Sequence, residues 1–97
     1  MGQYENEGVR LLIKSILALE SEEECAEFLD DLMTRKEIDD IAQRMCVAKM
    51  LREQAVYSKI VERTGASTAT ISRVNRAYNY GRGAYAKILA KVDEEKD

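Results

Sequence analysis

The stretch that sets the fold covers residues 57–78 and reads Tyr57-Ser-Lys-Ile-Val-Glu-Arg-Thr-Gly-Ala-Ser-Thr-Ala-Thr-Ile-Ser-Arg-Val-Asn-Arg-Ala-Tyr78. Two short helical patterns flank one glycine within it. The inward face of the first pattern consists of Ile60, Val61 and Thr64, and that of the second consists of Ile71, Val74 and Tyr78. Because each set has helical spacing, the two faces can close on one small core. The stretch therefore predicts a helix-turn-helix.

The residues between the two patterns are those that a tight turn requires. Gly65 stands where the first helix has to end, since the residue just past a helix often takes a positive φ that glycine adopts without steric cost. Ala66 has a side chain too small to hold the two helices apart. Ser67 is a good N-cap for the second helix, because its hydroxyl can accept a hydrogen bond from the backbone N–H of Ala69 or Thr70.

The second helix of the pair combines small side chains with arginines. Small side chains let a helix approach the wall of a DNA groove closely, and arginines reach phosphate oxygens or a guanine edge. We therefore predict DNA contacts from nine residues: Lys59, Arg63, Ser67, Thr68, Ala69, Thr70, Ser72, Arg73 and Arg76. Base reading is assigned to Thr68, Ala69 and Thr70.

Charge is unevenly distributed along the chain, whose formal net charge is -3. Residues 1–42 carry 12 acidic and 4 basic side chains, whereas residues 43–91 carry 2 acidic and 10 basic ones. The tail over residues 92–97 is acidic again, with 4 acids and 1 base. Attraction to phosphate depends on the local field rather than on the total charge. The basic segment contains the helix-turn-helix, so double-stranded DNA is the partner that it favours.

The composition indicates one small helical domain over residues 1–97. Proline is absent, and the abundant residues are helix formers. A chain of this length buries only about two-thirds of its unfolded surface, so a partner subunit would help to stabilise it. Cys25 and Cys46 lie far apart within helical apolar patterns and are predicted to be buried, reduced thiols, which suits a cytoplasmic protein. No apolar run approaches the length that spans a bilayer, so no membrane association is predicted.

Three helices are predicted before the helix-turn-helix. Residues 1–5 form a polar start that we expect to fray, and an amphipathic helix follows over residues 7–20, its apolar stripe assigned to core packing. Ser21 with Glu24, and then Thr34 with Glu37, repeat the capping-box signature that marks a helix N-terminus. A second and a third helix are therefore predicted, the third continuing to about residue 53.

The third helix is apolar on two sides. One stripe consists of Ile38, Ile41, Ala42, Met45 and Ala48, and the second consists of Val47, Met50 and Leu51. A helix of this kind is sandwiched, and in so short a chain the second stripe is expected to face another subunit. We therefore predict a homodimer, formed by the helices at about residues 7–53 and 84–92.

A last helix is predicted from Ala84, because Gly81 and Gly83 interrupt the pattern after the second helix of the pair. Its side chains predicted to point inward are Tyr85, Ile88, Leu89 and Val92. The fold class is therefore all-α, with about six helices.

Two motifs in the chain resemble the tryptophan repressor family, and more closely its YerC/YecD-type branch. One reads Leu32-Met-Thr-Arg-Lys-Glu-Ile-Asp-Asp-Ile-Ala-Gln-Arg44, and the other reads Thr64-Gly-Ala-Ser-Thr-Ala-Thr-Ile-Ser-Arg73. The resemblance covers residues 32–81, about half of the chain. It implies an interlocked all-helical homodimer that presents Thr68, Ala69, Thr70 and Ser72 to the major groove.

The same resemblance implies an effector pocket made of Thr34, Arg44, Arg73 and Val74. Arg44 and Arg73 match the positions where the family's repressor clamps its corepressor, but that repressor has glycine directly after the second arginine, where this chain has Val74. A branched side chain there would overfill a pocket for a flat ring. We therefore predict that tryptophan is not the effector. Two alternatives stay open: a smaller ligand held on Arg73, or a pocket that Val74 fills permanently, which we favour.

These observations predict a repressor-like, sequence-specific DNA-binding regulator of transcription that reads a palindromic operator as a homodimer. The alternative is a helix-turn-helix adaptor whose basic helix meets an acidic protein. An enzyme is disfavoured, because the chain lacks histidine, a glycine-rich phosphate loop and a well-placed carboxylate pair. No cofactor or metal is predicted, since the adjacent carboxylates of Asp30 and Asp31 point apart on a helix.

Overall fold

A computed structural model describes residues 6–95, and in that range it shows six α-helices and no strand. The helices are α1 (Glu7–Leu17), α2 (Glu22–Leu32), α3 (Arg35–Arg52), α4 (Tyr57–Thr64), α5 (Thr68–Tyr80) and α6 (Ala84–Glu94). The predicted all-α class is confirmed, whereas the polar start at residues 1–5 lies outside the described residues. The chain forms two compact units, the first ending at Ile38 and the second beginning at Asp39, so their boundary falls within α3.

Helix α1 begins at an N-cap that was not predicted, Asn6. The helix is also shorter than predicted. The side chain of Asn6 accepts hydrogen bonds from the backbone nitrogens of Gly8 at 2.7 Å and Val9 at 3.2 Å. The helix ends at Leu17 rather than at residue 20. The physical reason is the start of α2, because the backbone N–H of Glu20 donates to Glu24 Oε1 at 2.8 Å and is therefore not bonded within α1.

Both predicted helix starts that follow α1 are confirmed. Ser21 Oγ accepts from the backbone nitrogen of Glu24 at 3.0 Å. At the start of α3 the capping is reciprocal: Glu37 N donates to Thr34 Oγ1 at 3.1 Å, and Thr34 N donates to Glu37 Oε1 at 2.9 Å. Two backbone donors of α3 that would have no partner within the helix are thus satisfied.

Helix α3 ends in a Schellman motif centred on Gln54. Its backbone has φ 65°, and it is the one non-glycine residue between residues 6 and 95 with positive φ. The nitrogen of Ala55 donates to the carbonyl of Met50 at 3.0 Å, and that of Gln54 donates to the carbonyl of Leu51 at 2.9 Å. This pair of bonds reverses the chain at the end of α3 and leads it into the helix-turn-helix.

The hydrophobic core lies in the second unit and holds the helix-turn-helix between α3 and α6. Its buried members are Val47, Ala48, Ile60, Ala66, Ile71, Val74 and Leu89. Partly buried residues pack around them, among which Tyr78 and Tyr85 stack with ring centroids 6.2 Å apart. An ion pair between Arg52 and Asp93 joins the end of α3 to α6. Burial of these side chains therefore fixes α4 and α5 on a helical scaffold.

The two stripes of α3 exchange their predicted roles. The stripe assigned to another subunit packs into the chain's own core, since Val47 is fully buried and Met50 and Leu51 lie against it. On the other stripe Ala48 is buried, but Ile41 and Met45 are 45% and 37% exposed. The reason is tertiary: the helix-turn-helix folds back onto the Val47 side. The uncovered apolar surface of α3 is therefore the side of Ile41 and Met45.

Other burial predictions are also wrong within the single chain. Ile88 and Val92 are exposed, because α6 meets the core on the side of Leu89 and Tyr85. Val61 is exposed, since Ile60 takes the inward position and the next residue on a helix points about 100° away.

The cysteines and α1 differ from expectation in the same way. Cys46 is exposed and Cys25 is half-buried, so neither thiol is buried as predicted. Helix α1 buries none of its residues. Its apolar side chains stay exposed because eleven helical residues in a unit of this size have too few apolar partners to cover them.

Candidate nucleic-acid interface

The turn between α4 and α5 has the geometry that its residues predict. Gly65 takes the left-handed conformation, with φ 74° and ψ 4°, and its nitrogen donates to the carbonyl of Val61 at 2.9 Å. Ala66 is buried between the two helices, with 2% of its surface exposed. Ser67 has extended backbone, and its Oγ accepts from the nitrogen of Thr70 at 3.1 Å. The predicted roles of Gly65 and Ser67 in the turn are confirmed.

Three hydrogen bonds converge on Thr64, the last residue of α4. Its hydroxyl donates to the carbonyl of Ile60 at 2.7 Å and accepts from the nitrogen of Ala66 at 3.1 Å. Its carbonyl accepts from Gln43 Nε2 of α3 at 3.1 Å. The turn is thus braced by α3 as well as by its own side chains.

Gln43 is a contact that the sequence reasoning missed, although a signal was present. It stands one helical turn before Val47, so it shares the side of α3 that faces the core, and a polar residue on such a side needs a hydrogen-bond partner. Which partner it finds depends on where the chain returns 21 residues later.

The predicted reading residues do not share one environment on α5. Thr68, Ala69, Ser72, Arg73 and Arg76 are exposed, as is the capping residue Ser67. Thr70 is half-buried, and its Oγ1 accepts a hydrogen bond from Ser67 Oγ at 3.1 Å. The hydroxyl oxygen of Thr70 thus accepts a bond within the turn, whereas Thr68 and Ser72 are exposed to solvent.

The surface around the turn is basic and not neutralised. Between residues 57 and 80 the charged side chains are Glu62 and four cations. All four are exposed: Lys59 and Arg63 on α4, and Arg73 and Arg76 on α5. Within the described residues no ion pair joins any of these four cations to a carboxylate. Their charge is therefore available to an anionic partner.

The residues of the predicted effector pocket lie in different settings. Thr34 belongs to the first unit, and its hydroxyl and backbone nitrogen are engaged in capping α3. Val74 is buried in the core with 2% of its surface exposed, whereas Arg44 and Arg73 are exposed. Within the single chain, Val74 therefore packs among apolar side chains rather than lining an open site.

Two cavities of about 250 Å³ lie elsewhere in the second unit. One is lined by Cys46, Lys49, Met50, Glu53, Arg63 and Thr64. The other is lined by Met45, Ala84, Tyr85 and Ile88. Neither includes the arginines that match the corepressor clamp.

Residues 6–95 show neither a metal-binding cluster nor a membrane span. No cluster of three or more His, Cys, Asp or Glu side chains is placed to hold a metal ion. None of the helices is both long enough and apolar enough to cross a membrane.

The helical fold and this turn define an all-α protein built around a helix-turn-helix. The chain belongs to the Trp repressor family, whose model, described as Trp repressor protein, matches residues 7–93. It is 57% identical over 83 residues to a Bacillus subtilis (strain 168) protein described as uncharacterized protein YerC, an alignment that covers 86% of this chain and 80% of that one. The family resemblance read from the sequence is thus confirmed.

Solved structures support the same assignment. A TrpR-like protein from Eubacterium eligens ATCC 27750 is 41% identical and superimposes with a TM-score of 0.91, over 100% of both chains. A putative Trp repressor from Staphylococcus aureus is 43% identical with a TM-score of 0.87, over 95% of this chain and 92% of that one. The chain therefore has a Trp-repressor-like structure.

Proposed function

We propose that this chain is a non-catalytic, repressor-like regulator of transcription that binds a specific DNA sequence through α5. The observation that carries the proposal is the exposed face of α5, where small side chains at Thr68, Ala69 and Ser72 lie beside Arg73 and Arg76. These arginines have no carboxylate partner among the described residues. Family membership supports this assignment.

The N-terminal half of α5 enters the major groove in this proposal. Short side chains leave room for a close approach, and such residues often reach base edges through ordered water, as the tryptophan repressor itself does with its operator. Thr68, Ala69 and Ser72 then contact or approach the bases. Thr70 is half-buried, and its hydroxyl oxygen accepts from Ser67, so its contribution to recognition is limited to its methyl group and the hydroxyl proton that it can still donate.

The four cations position the protein on the duplex. Lys59 and Arg63 on α4 and Arg73 and Arg76 on α5 contact phosphates and carry no sequence information directly. Each contact releases counterions, so affinity falls steeply as salt rises. Sequence preference and salt dependence thus come from different side chains of one surface.

The proposed assembly is a homodimer. Exposed apolar side chains occur on α1 (Leu11, Leu12, Ile13, Ile16, Leu17), on α3 (Ile41, Met45) and on α6 (Ile88, Val92). Apolar surface of this extent on a small protein indicates a subunit interface. A two-fold dimer places its reading helices about 34 Å apart, one turn of DNA, and therefore favours a palindromic operator.

DNA binding by this dimer is proposed not to require tryptophan. Val74 packs with Ile60 and Ile71 in the core, so it has a structural role that needs no ligand. A permanently filled pocket leaves the dimer competent to bind DNA at all times. Arg44 and Arg73 then stay available to phosphates.

The test is selection of bound duplexes from a random pool by the purified protein. We expect enrichment of one palindromic sequence, bound at least about 10³-fold more tightly than random duplex at physiological salt. Recovery of duplexes without a common sequence, or with affinity no better than random DNA, would contradict the proposal. It would favour the adaptor alternative, in which the basic face meets an acidic protein.

A further inference from the structure

The hydrogen bond between Gln43 and Thr64 joins the scaffold to the turn. Gln43 Nε2 of α3 donates to the carbonyl of Thr64 at 3.1 Å, and the pair is partly buried. The other side-chain hydrogen bonds around the turn join residues no more than four positions apart. Among the side-chain hydrogen bonds that residues 6–95 make at the turn, the bond from Gln43 is thus the one that reaches a distant helix.

The acceptor is a carbonyl that its own helix leaves without a partner. Thr64 is the last residue of α4, and the last carbonyls of a helix have no intrahelical donor. Gln43 supplies that donor from α3. Removal of the donor leaves a partly buried carbonyl unsatisfied, which costs more than the net value of an ordinary hydrogen bond.

The hydrogen bond from Gln43 depends on direction, whereas the apolar packing between α3 and the helix-turn-helix does not. Contacts among Val47, Ile60 and Ile71 hold the helices together but depend little on orientation. A hydrogen bond weakens steeply when its angle is lost, so the bond from Gln43 resists rotation of α4 against α3. Thr64 also bonds Ala66, so the orientation of α4 is passed on to the start of α5.

We propose that Gln43 is a positioning residue for DNA reading. It sets the turn, and with it the N-terminus of α5, at a defined orientation on α3. Ile41 and Met45, two residues to either side of Gln43, lie on the exposed side of α3 that is proposed to meet the partner subunit. The bond therefore relates each reading helix to the dimer interface. This role rests on the proposed function.

Two substitutions separate the hydrogen bond from packing. Gln43→Met keeps nearly the same length and removes the donor. Gln43→Glu replaces the donor with a carboxylate that opposes the carbonyl of Thr64, and protonation of that carboxyl restores a donor. We expect the partly buried position and the facing carbonyl of Thr64 to raise the pKa of the introduced carboxyl above its ordinary value.

The wild-type chain has no histidine whose titration between about pH 5 and pH 8 would complicate a pH experiment. The matched control is Gln54→Glu, which makes the same chemical change at an exposed glutamine just past the end of α3. It reports the effect of one added negative charge on DNA binding.

The experiment measures affinity for the selected palindrome at about pH 7.5 and about pH 5. We expect Gln43→Met to bind roughly tenfold more weakly than wild type at both pH values, because a turn that is no longer held in one orientation populates the binding-competent conformation less often. Gln43→Glu is expected to bind at least as weakly at the higher pH and to recover at the lower one. Gln54→Glu should follow wild type at both, and thermal unfolding verifies that all variants are folded.

Amide hydrogen exchange tests the effect of the Gln43–Thr64 hydrogen bond on the turn in the absence of DNA. The amides of Gly65 and Ala66 should lose protection in Gln43→Met, and in Gln43→Glu at the higher pH only. If the wild-type protein shows no specific DNA binding, both the proposed function and the positioning role of Gln43 are overturned, whatever the exchange data show. If the wild-type protein binds specifically and both Gln43 variants bind with the same affinity as wild type, the Gln43 proposal alone is overturned. The same holds if Gln43→Glu loses the same amount of DNA affinity at both pH values.

Discussion

Ser67 and Thr70 are joined by two hydrogen bonds at the start of α5, because Ser67 Oγ accepts from Thr70 N at 3.1 Å and donates to Thr70 Oγ1 at 3.1 Å. One side chain therefore caps the helix and also fixes the neighbouring hydroxyl. The stability of the fold and the surface at the start of α5 depend on the same residue.

Replacement of Ser67 by alanine should lower the free energy of unfolding by about 1 kcal/mol, the usual value of an N-cap. Urea unfolding followed by circular dichroism measures this change. Ser58→Ala is the control, since Ser58 is exposed in the first turn of α4 and no side-chain bond caps that helix. Equal effects of the two substitutions would show that the cap contributes nothing of its own.

The opposite change is expected at Gln54, which holds φ 65° without being glycine. Gln54→Gly should raise the free energy of unfolding by about 0.5–1 kcal/mol, because glycine takes this conformation without a steric cost. The neighbouring Glu53→Gly serves as a control that should destabilise, since its φ is not positive. Chemical denaturation of both variants gives the sign of the change in the free energy of unfolding. A loss of stability in Gln54→Gly would show that the positive φ of Gln54 has no steric cost.

Salt dependence should identify the phosphate contacts one by one. Arg76→Ala and Lys59→Ala should each lower the slope of log affinity against log salt concentration by about 1.8, because each lost phosphate contact contributes about 0.9 and the substitution removes one contact from each subunit of the proposed dimer. Arg10→Ala on α1 should leave the slope unchanged. Fluorescence anisotropy over a salt series provides the slopes, and an effect at Arg10 as large as at Arg76 would place the DNA on another surface.

Oligomeric state tests the exposed face of α3. We expect the wild-type protein to sediment as a dimer at micromolar concentration and Met45→Glu to shift it toward monomer, because the new charge would have to be buried in an apolar interface. Val61→Glu is a matched control, since Val61 is 37% exposed like Met45 but lies on α4. A monomeric wild-type protein in analytical ultracentrifugation would refute the proposed assembly.

Tryptophan should not bind this protein with useful affinity. The proposed pocket is one in which Val74 takes the space that a flat ring would need, and overpacking of that kind costs about 1–3 kcal/mol, or roughly ten- to hundredfold in affinity. Isothermal titration of the purified protein with L-tryptophan should show no saturable heat at concentrations up to about 50 micromolar. A dissociation constant of that size corresponds to a binding free energy of about -6 kcal/mol. Saturable binding below that concentration would show that the pocket is open.

Prediction from sequence succeeded where the deciding residues are neighbours along the chain. The capping pairs Ser21–Glu24 and Thr34–Glu37 mark two helix starts, and Gly65 ends α4 at the expected residue. Each of these signals acts within one helical turn, so the backbone conformation follows from local sterics and hydrogen bonds. The family resemblance, which implied an interlocked homodimer, went beyond these local signals.

Burial was harder to predict, because hydrophobic spacing shows that a helix has an apolar side but not what covers it. Two stripes on α3 satisfied the same criterion, and the return of the chain onto Val47 selected one of them. Ile88 and Val92 had inward spacing yet are exposed within the single chain. Helical spacing does not distinguish a side chain in its own core from one that a partner subunit covers.

The sequence by itself determined the six helices, the turn at Gly65 and the N-cap at Ser67, since these depend on contacts over four residues or fewer. Only the tertiary structure decided that Gln43 holds the carbonyl of Thr64 and that Thr70 is half-buried on α5. The physical reason is distance along the chain. The partner of Gln43 lies 21 residues away, so it is chosen by how α4 packs on α3, which no local pattern specifies.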